Sequence, residues 1–89
     1  IKGNCPVYKI GDQIILDEGY KVDLSKTTAI CMHSLVSILP YYVALSSEVD
    51  PKLLGISSLN DNDKNAYVQC LDPCNYTKGG TVIFEIRIF

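Results

Sequence analysis

Four cysteines, Cys5, Cys31, Cys70 and Cys74, and a single histidine, His33, are the residues of this chain with a claim to special chemistry. Thiolate and imidazole are natural ligands for zinc, and thiolates hold iron–sulfur clusters. Cys70-x3-Cys74 supplies one pair, and Cys5 with either Cys31 or His33 would complete a candidate metal set. Cys5 and Cys74 each stand beside a proline, Pro6 and Pro73, in segments that read as loops. Cys31 and His33 are two apart on an expected helix and face nearly opposite ways, so at most one of them joins unless the helix starts later.

Three other readings stand beside the metal one. Cys31 and Cys70 can be reduced core residues, since a free cysteine behaves as a small hydrophobe. In an oxidising compartment four cysteines can form disulfides in any of three pairings. Asn75-Tyr76-Thr77 is a glycosylation sequon that would accord with secretion. A thiolate nucleophile with His33 as its general base is the last reading, and no spacing brings His33 to a cysteine. Remaining constellations are thinner. Asp17-Glu18 reads as a solvated turn, and Gly79-Gly80 precedes a strand instead of the helix that a phosphate cradle needs. Asp12, Asp72 and the acidic loop 61–63 match no calcium loop.

The elements that must position these residues follow from hydrophobic patterning. Val7 to Leu16, broken at Gly11-Asp12, predicts a β-hairpin, with Tyr20 to Val22 as a third short strand. Ser25 or Thr27 can cap a helix whose apolar positions are Cys31, Leu35, Ile38, Tyr42 and Leu45. Pro40 falls inside that pattern, so the expectation is a kink, or two helices over 27–39 and 40–47. Asp50-Pro51 starts one further helical turn and Gly55 stops it. Residues 60–65 form a polar loop. Ala66 to Leu71 reads as a strand with Ala66, Val68 and Cys70 on one face, ended by Asp72-Pro73. Thr81 to Phe89 alternates as a strand with Val82, Phe84, Ile86 and Ile88 inward. The order strands–helices–strands predicts an α+β domain: a small antiparallel β-sheet with a Pro-kinked helix or helix pair packed on one face.

Size and charge narrow the function classes. The 89 residues make one domain over 1–89, with a single modest core. A net charge of −2, with scattered Lys and Arg, lacks the basic face of a nucleic-acid binder. The longest apolar stretch, Ala29 to Leu45, is interrupted by polar residues and falls short of the roughly 20 residues that span a bilayer. No signal peptide is visible. The chain opens at Ile1 instead of Met, so an N-terminal signal lost before it would leave the compartment open at this end.

On particular segments the sequence resembles a family of small uncharacterised archaeal and bacterial proteins, each about one such domain long. These are Gly3-Asn4-Cys5-Pro6, Tyr8-x-x-Gly11-Asp12, Cys31-x-His33, Tyr67 to Pro73, and Gly79-Gly80-Thr81-Val82-Ile83-Phe84-Glu85-Ile86. The resemblance covers nearly the whole chain. It implies a cytoplasmic protein from a largely anaerobic organism, which lowers the disulfide reading, and a first strand upstream of Ile1. Cys74 departs from the family pattern, in which a small residue follows Asp-Pro, leaving Cys5, Cys31, His33 and Cys70 as the set to watch. The family carries a fold expectation without an activity.

The reading is therefore a small cytoplasmic binding or accessory module with a cysteine cluster that is a candidate for zinc or iron–sulfur. Its expected partner is a protein or a homo-oligomer, with neither nucleic acid nor membrane. A small redox or metal-dependent enzyme using the same cysteines is one alternative, and a structural subunit of a larger complex is another. The signature of that subunit would be an exposed apolar patch around Tyr41, Tyr42 and Phe89.

Overall fold

In chain order the elements are β1 (Lys2–Gly3), β2 (Leu16–Asp17), β3 (Lys21–Val22), α1 (Met32–Ser46), α2 (Pro51–Leu54), β4 (Ala66–Gln69), α3 (Cys74–Thr77), β5 (Gly80–Thr81) and β6 (Ile83–Ile86). The computed structural model describes residues 1–88. The fold is α+β, and its strands form three antiparallel pairs: β1 with β5, β2 with β3, and β4 with β6. Helix α1 lies against β4, with the Ser37 hydroxyl donating to the Gln69 carbonyl at 2.8 Å.

The expected face of β4 is the buried one: Ala66, Val68 and, just past the strand, Cys70 all lie inside. From α1 the buried residues are Ser34, Ile38 and Leu45, whose spacing of four and seven keeps them on one side of the helix. The turn at 50–55 also follows its residues. Asp50 accepts the Lys52 N–H at 3.0 Å, Pro51 takes the first helical position, and Gly55 ends α2 in the left-handed region at φ 73°.

Three expectations need correction. Val7 to Leu16 is not a hairpin. The Gly11-Asp12 turn forms, held by the Lys9 N–H donating to the Asp12 carboxylate at 2.9 Å. The chain beyond it pairs with residues 26–28 instead of 7–10. Thr28 N–H donates to the Gln13 carbonyl at 2.9 Å, and the Thr27 hydroxyl accepts the Ile15 N–H at 3.0 Å. The hairpin is the next turn along, β2–β3 around Glu18-Gly19, and β3 stands where the third short strand was expected.

The helix starts late. Its N-cap is Cys31, in extended geometry at φ −99° and ψ 139°, so neither Ser25 nor Thr27 caps it. It then runs as one helix through Pro40, not as a pair. Pro40 withholds a donor from the Val36 carbonyl, but both residues are exposed, so water can reach that oxygen. Finally, the 81–89 alternation is shared between two partners. β5 pairs with β1, and β6 pairs with β4. Val82 sits between them, buried, with its carbonyl accepting the Cys70 N–H at 2.8 Å. Phe84 and Ile86 are half-buried as the alternation requires, whereas Ile88 is exposed. Phe89 lies outside the described residues.

Candidate functional site

Tyr8, Cys70 and Val82 are buried together, and Cys5, Cys31, Ile14, Ala29 and Phe84 pack against them. Cysteines from three distant segments therefore pack into one core cluster. The Tyr8 ring stands edge-on to Phe84 at 5.6 Å between centroids, a geometry in which ring edge meets ring face favourably.

Each of these cysteines has a local structural partner. The Cys5 sulfur accepts the Tyr8 N–H at 3.3 Å, closing the turn at Pro6-Val7. The Cys70 sulfur accepts the Asp72 N–H at 3.4 Å, where β4 ends. Cys31 contributes its backbone: its N–H donates to the Tyr8 hydroxyl at 2.9 Å. That hydroxyl also lies 3.0 Å from the Ala29 carbonyl and 2.9 Å from the Ser34 hydroxyl. Ser34, the most buried polar residue, donates in turn to the Cys31 carbonyl at 2.6 Å. Tyr8 thus ties the N-terminal segment to the start of α1. The hairpin expected over Val7 to Leu16 hides this role of Tyr8; the signal that singles it out is a tyrosine three residues after Cys5, in Cys5-Pro6-Val7-Tyr8.

The other two candidate ligands lie apart from this cluster. His33 is exposed in the first turn of α1. Cys74 opens α3, half-buried, with its N–H donating to the Asp72 carbonyl at 3.0 Å. Among the described residues, no group of three or more His, Cys, Asp or Glu side chains converges closely enough to hold a metal ion. Cys5, Cys31 and Cys70 share a cluster as packing groups, and His33 and Cys74 do not close it into a ligand set. All four cysteines are free thiols.

Beside Cys70 and Cys74 opens a depression of about 500 Å³, walled by Lys2, Asp72, Tyr76 and Ile83 among others. Asp72 is engaged by its own loop: its carboxylate accepts the Thr77 hydroxyl and its carbonyl accepts that of Thr81.

One further polar network lies at the far end of β4. Tyr67 donates its hydroxyl to Asp63, and Asn65 donates to Glu85 at 2.6 Å, beside the Arg87–Glu85 ion pair. The tyrosine hydrogen bond, followed by the Asn65 N–H, holds the Asp63 carboxyl below its ordinary range. The same hydrogen bond, with partial desolvation and the negative charge of Asp63, pushes the Tyr67 phenol up to about 12. The two shifts act at opposite ends of the pH scale. The Asp63 contribution to stability is present above its unfolded value near 4 and is lost as pH falls through the lowered folded value. The Tyr67 contribution is complete below about 10 and is lost as pH rises from there to about 12. Spectrophotometric titration should show a tyrosine ionisation at about pH 12, and Tyr67→Phe should remove that late step. Late ionisation that persists in the variant would contradict the assignment.

Among known proteins, no family model, no curated protein and no solved structure matches the chain. Among the described residues, no helix is long and apolar enough to cross a membrane.

Proposed function

We propose that this chain works by binding, as a small accessory module that docks on protein through the outer face of α1. The observation that supports this reading is the apolar character of that face. Met32, Val36, Leu39 and Val43 are exposed by 70, 53, 54 and 60%, and residues 27–47 contain no Asp, Glu, Lys or Arg. A helix that is apolar all round is ordinarily buried all round. Of the patch expected at Tyr41, Tyr42 and Phe89, Tyr41 and Tyr42 are half-buried and Phe89 lies outside the described residues. In this reading the partner is a protein, a further copy of the chain included. Nucleic acid and membrane play no part, and the compartment is the cytoplasm, which suits four free thiols. The likeness to the small archaeal and bacterial family belongs to the same proposal and adds no activity to it.

A photo-crosslinking residue placed at position 39, in cells that naturally make the chain, tests this. It should give a protein adduct, while the same residue at position 64, in the polar loop, should give none. Equal yields at both positions, or none at 39, would remove the docking face.

The convergence of Cys5, Cys31 and Cys70 supports a second reading, a small redox or metal-dependent enzyme. Stoichiometric zinc or iron in anaerobically purified protein, lost on Cys5→Ser and Cys70→Ser, would favour it over docking alone; folded, metal-free protein would count against a metal site.

A further inference from the structure

The outer stripe of α1 reads the same in both directions. Its residues, Met32, Val36, Leu39 and Val43, are spaced four, three and four. At about 100° per residue they lie roughly 150° around the helix from Ser34, Ile38 and Leu45, which face the core. An antiparallel second copy laid along the stripe would set Met32 against Val43 and Val36 against Leu39, twice each. This is the self-complementary pattern that a two-fold axis demands. Alternating spacings of four and three are also those of helices that pack at a shallow crossing angle.

Resting on the docking face described above, we propose that its occupant is a second copy of this chain, with α1 packed antiparallel on α1. Three observations point to this occupant. The first is area. A 9.8 kDa chain of ordinary compactness exposes about 5,200 Å², whereas this one exposes 6414 Å². The excess of about 1,200 Å² is a whole-chain figure to which the α1 stripe contributes a part, and a standard interface takes ~800 Å² from each partner. The radius of gyration agrees, at 13.2 Å against about 12 Å for a domain of this length.

The second is charge. With no formal charge between residues 27 and 47, two copies meet without like-charge repulsion, and the face offers nothing for a charged partner to select. The third is the helix dipole. No acidic residue stands in the first turn of α1 and no basic one in the last. Antiparallel pairing brings each uncompensated end beside its opposite. Pro40 lies about 70° to the side of the stripe, where it borders a groove of about 350 Å³ against Tyr67 and Leu71.

Sedimentation equilibrium of the purified chain should give twice the 9.8 kDa monomer mass at tens of micromolar. Val36→Glu should weaken the dimer by about 100-fold or more, because it places an unpaired charge at the seam twice over. Combining Val36→Glu with Leu39→Lys should restore most of the loss, since the proposed register sets the two positions face to face. Leu59→Glu, at a fully exposed site away from α1, should leave the mass unchanged. Far-UV circular dichroism should be the same for all of them. Wild-type protein that stays monomeric at about 100 µM would overturn self-association, and so would a Val36→Glu dimer of undiminished affinity. In the monomeric case a position-39 adduct with a different protein would leave the docking face standing, and absence of any adduct would remove both.

Discussion

Tyr8→Ala should destabilise the domain by about 3–5 kcal/mol, a large share of its stability, and Tyr8→Phe by about 1–3 kcal/mol. The alanine variant loses a buried ring packed on Phe84, Cys70 and Val82, a truncation that typically costs about 3–5 kcal/mol. A domain of this size has on the order of 5–10 kcal/mol to lose. The phenylalanine variant keeps the ring and isolates the hydroxyl. Tyr8 and Ser34 hold two hydroxyl protons between them, for the carbonyls of Ala29 and Cys31 and for each other. However those protons are shared, the Cys31 N–H donates to the Tyr8 oxygen. Removing that oxygen leaves the N-cap N–H of α1 without its acceptor, and leaves Ser34, 1% exposed, with one partner fewer. Urea unfolding of the two variants separates ring from hydroxyl. A loss below about half a kcal/mol in Tyr8→Phe would mean that water replaces the phenol there and that Tyr8 does not hold the start of the helix.

The same residue explains why the helix begins where it does, and why local sequence could not show it. Residues 27–31 have a cap in Thr27 and apolar spacing that continues into α1. Their donors and acceptors are nevertheless claimed from afar: Thr27 and Thr28 by Ile15 and Gln13, and Cys31 and Ala29 by Tyr8. Once those bonds form, the segment stays extended, and Gln13 to Ile15 are no longer free to face Val7 to Ile10 in a hairpin. Both misplacements have one cause, a pairing between segments that no local pattern marks. Where neighbours along the chain decide the geometry, local residue types suffice. Asp50, Pro51 and Gly55 set the single turn α2, and alternation put Ala66, Val68 and Cys70 inside. The candidate site divides along the same line. Cys31 and Cys70 both reach the Tyr8 cluster, as a helix lying over a strand implies, although Cys31 arrives from the cap and not from the apolar stripe. The Cys70-x3-Cys74 spacing proposes Cys74 and the Cys31-x-His33 segment proposes His33, but the fold turns His33 to solvent and seats Cys74 in α3. The outer stripe was hidden by the inner one. In a helix apolar on both sides, the core side can be found only when something is seen packed against it.

Gly80→Ala should lower the melting temperature by on the order of 15 °C, the second large effect. The residue is buried and its φ is not in the left-handed region, so an alanine meets no intrinsic backbone penalty there. The obstacle is another chain segment. A Cβ at Gly80 would stand 2.7 Å from the Cys5 Cα and 2.8 Å from the Asn4 carbonyl carbon. These are backbone atoms, which cannot rotate aside as a side chain would. Relief requires Asn4 and Cys5 to move off β5. That opens the Gly3–Gly80 pairing and the Asn4 N–H bond to the Gly79 carbonyl, and it draws the Cys5 sulfur away from the Tyr8 N–H. The expected loss is about 3 kcal/mol, the upper end of the overpacking range. Gly11→Ala is the instructive contrast. Gly11 has open space around it and a φ of 96°, so its alanine variant suffers only the left-handed backbone penalty, about 1–2 kcal/mol. Scanning calorimetry on both variants tests whether close approach or backbone conformation matters more at these glycines. A Gly80→Ala protein melting within about 2 °C of wild type would show that the segment carrying Cys5 can lift from β5 without loss. The thiol cluster around Tyr8 would then be held together from the side of α1 and β4 alone.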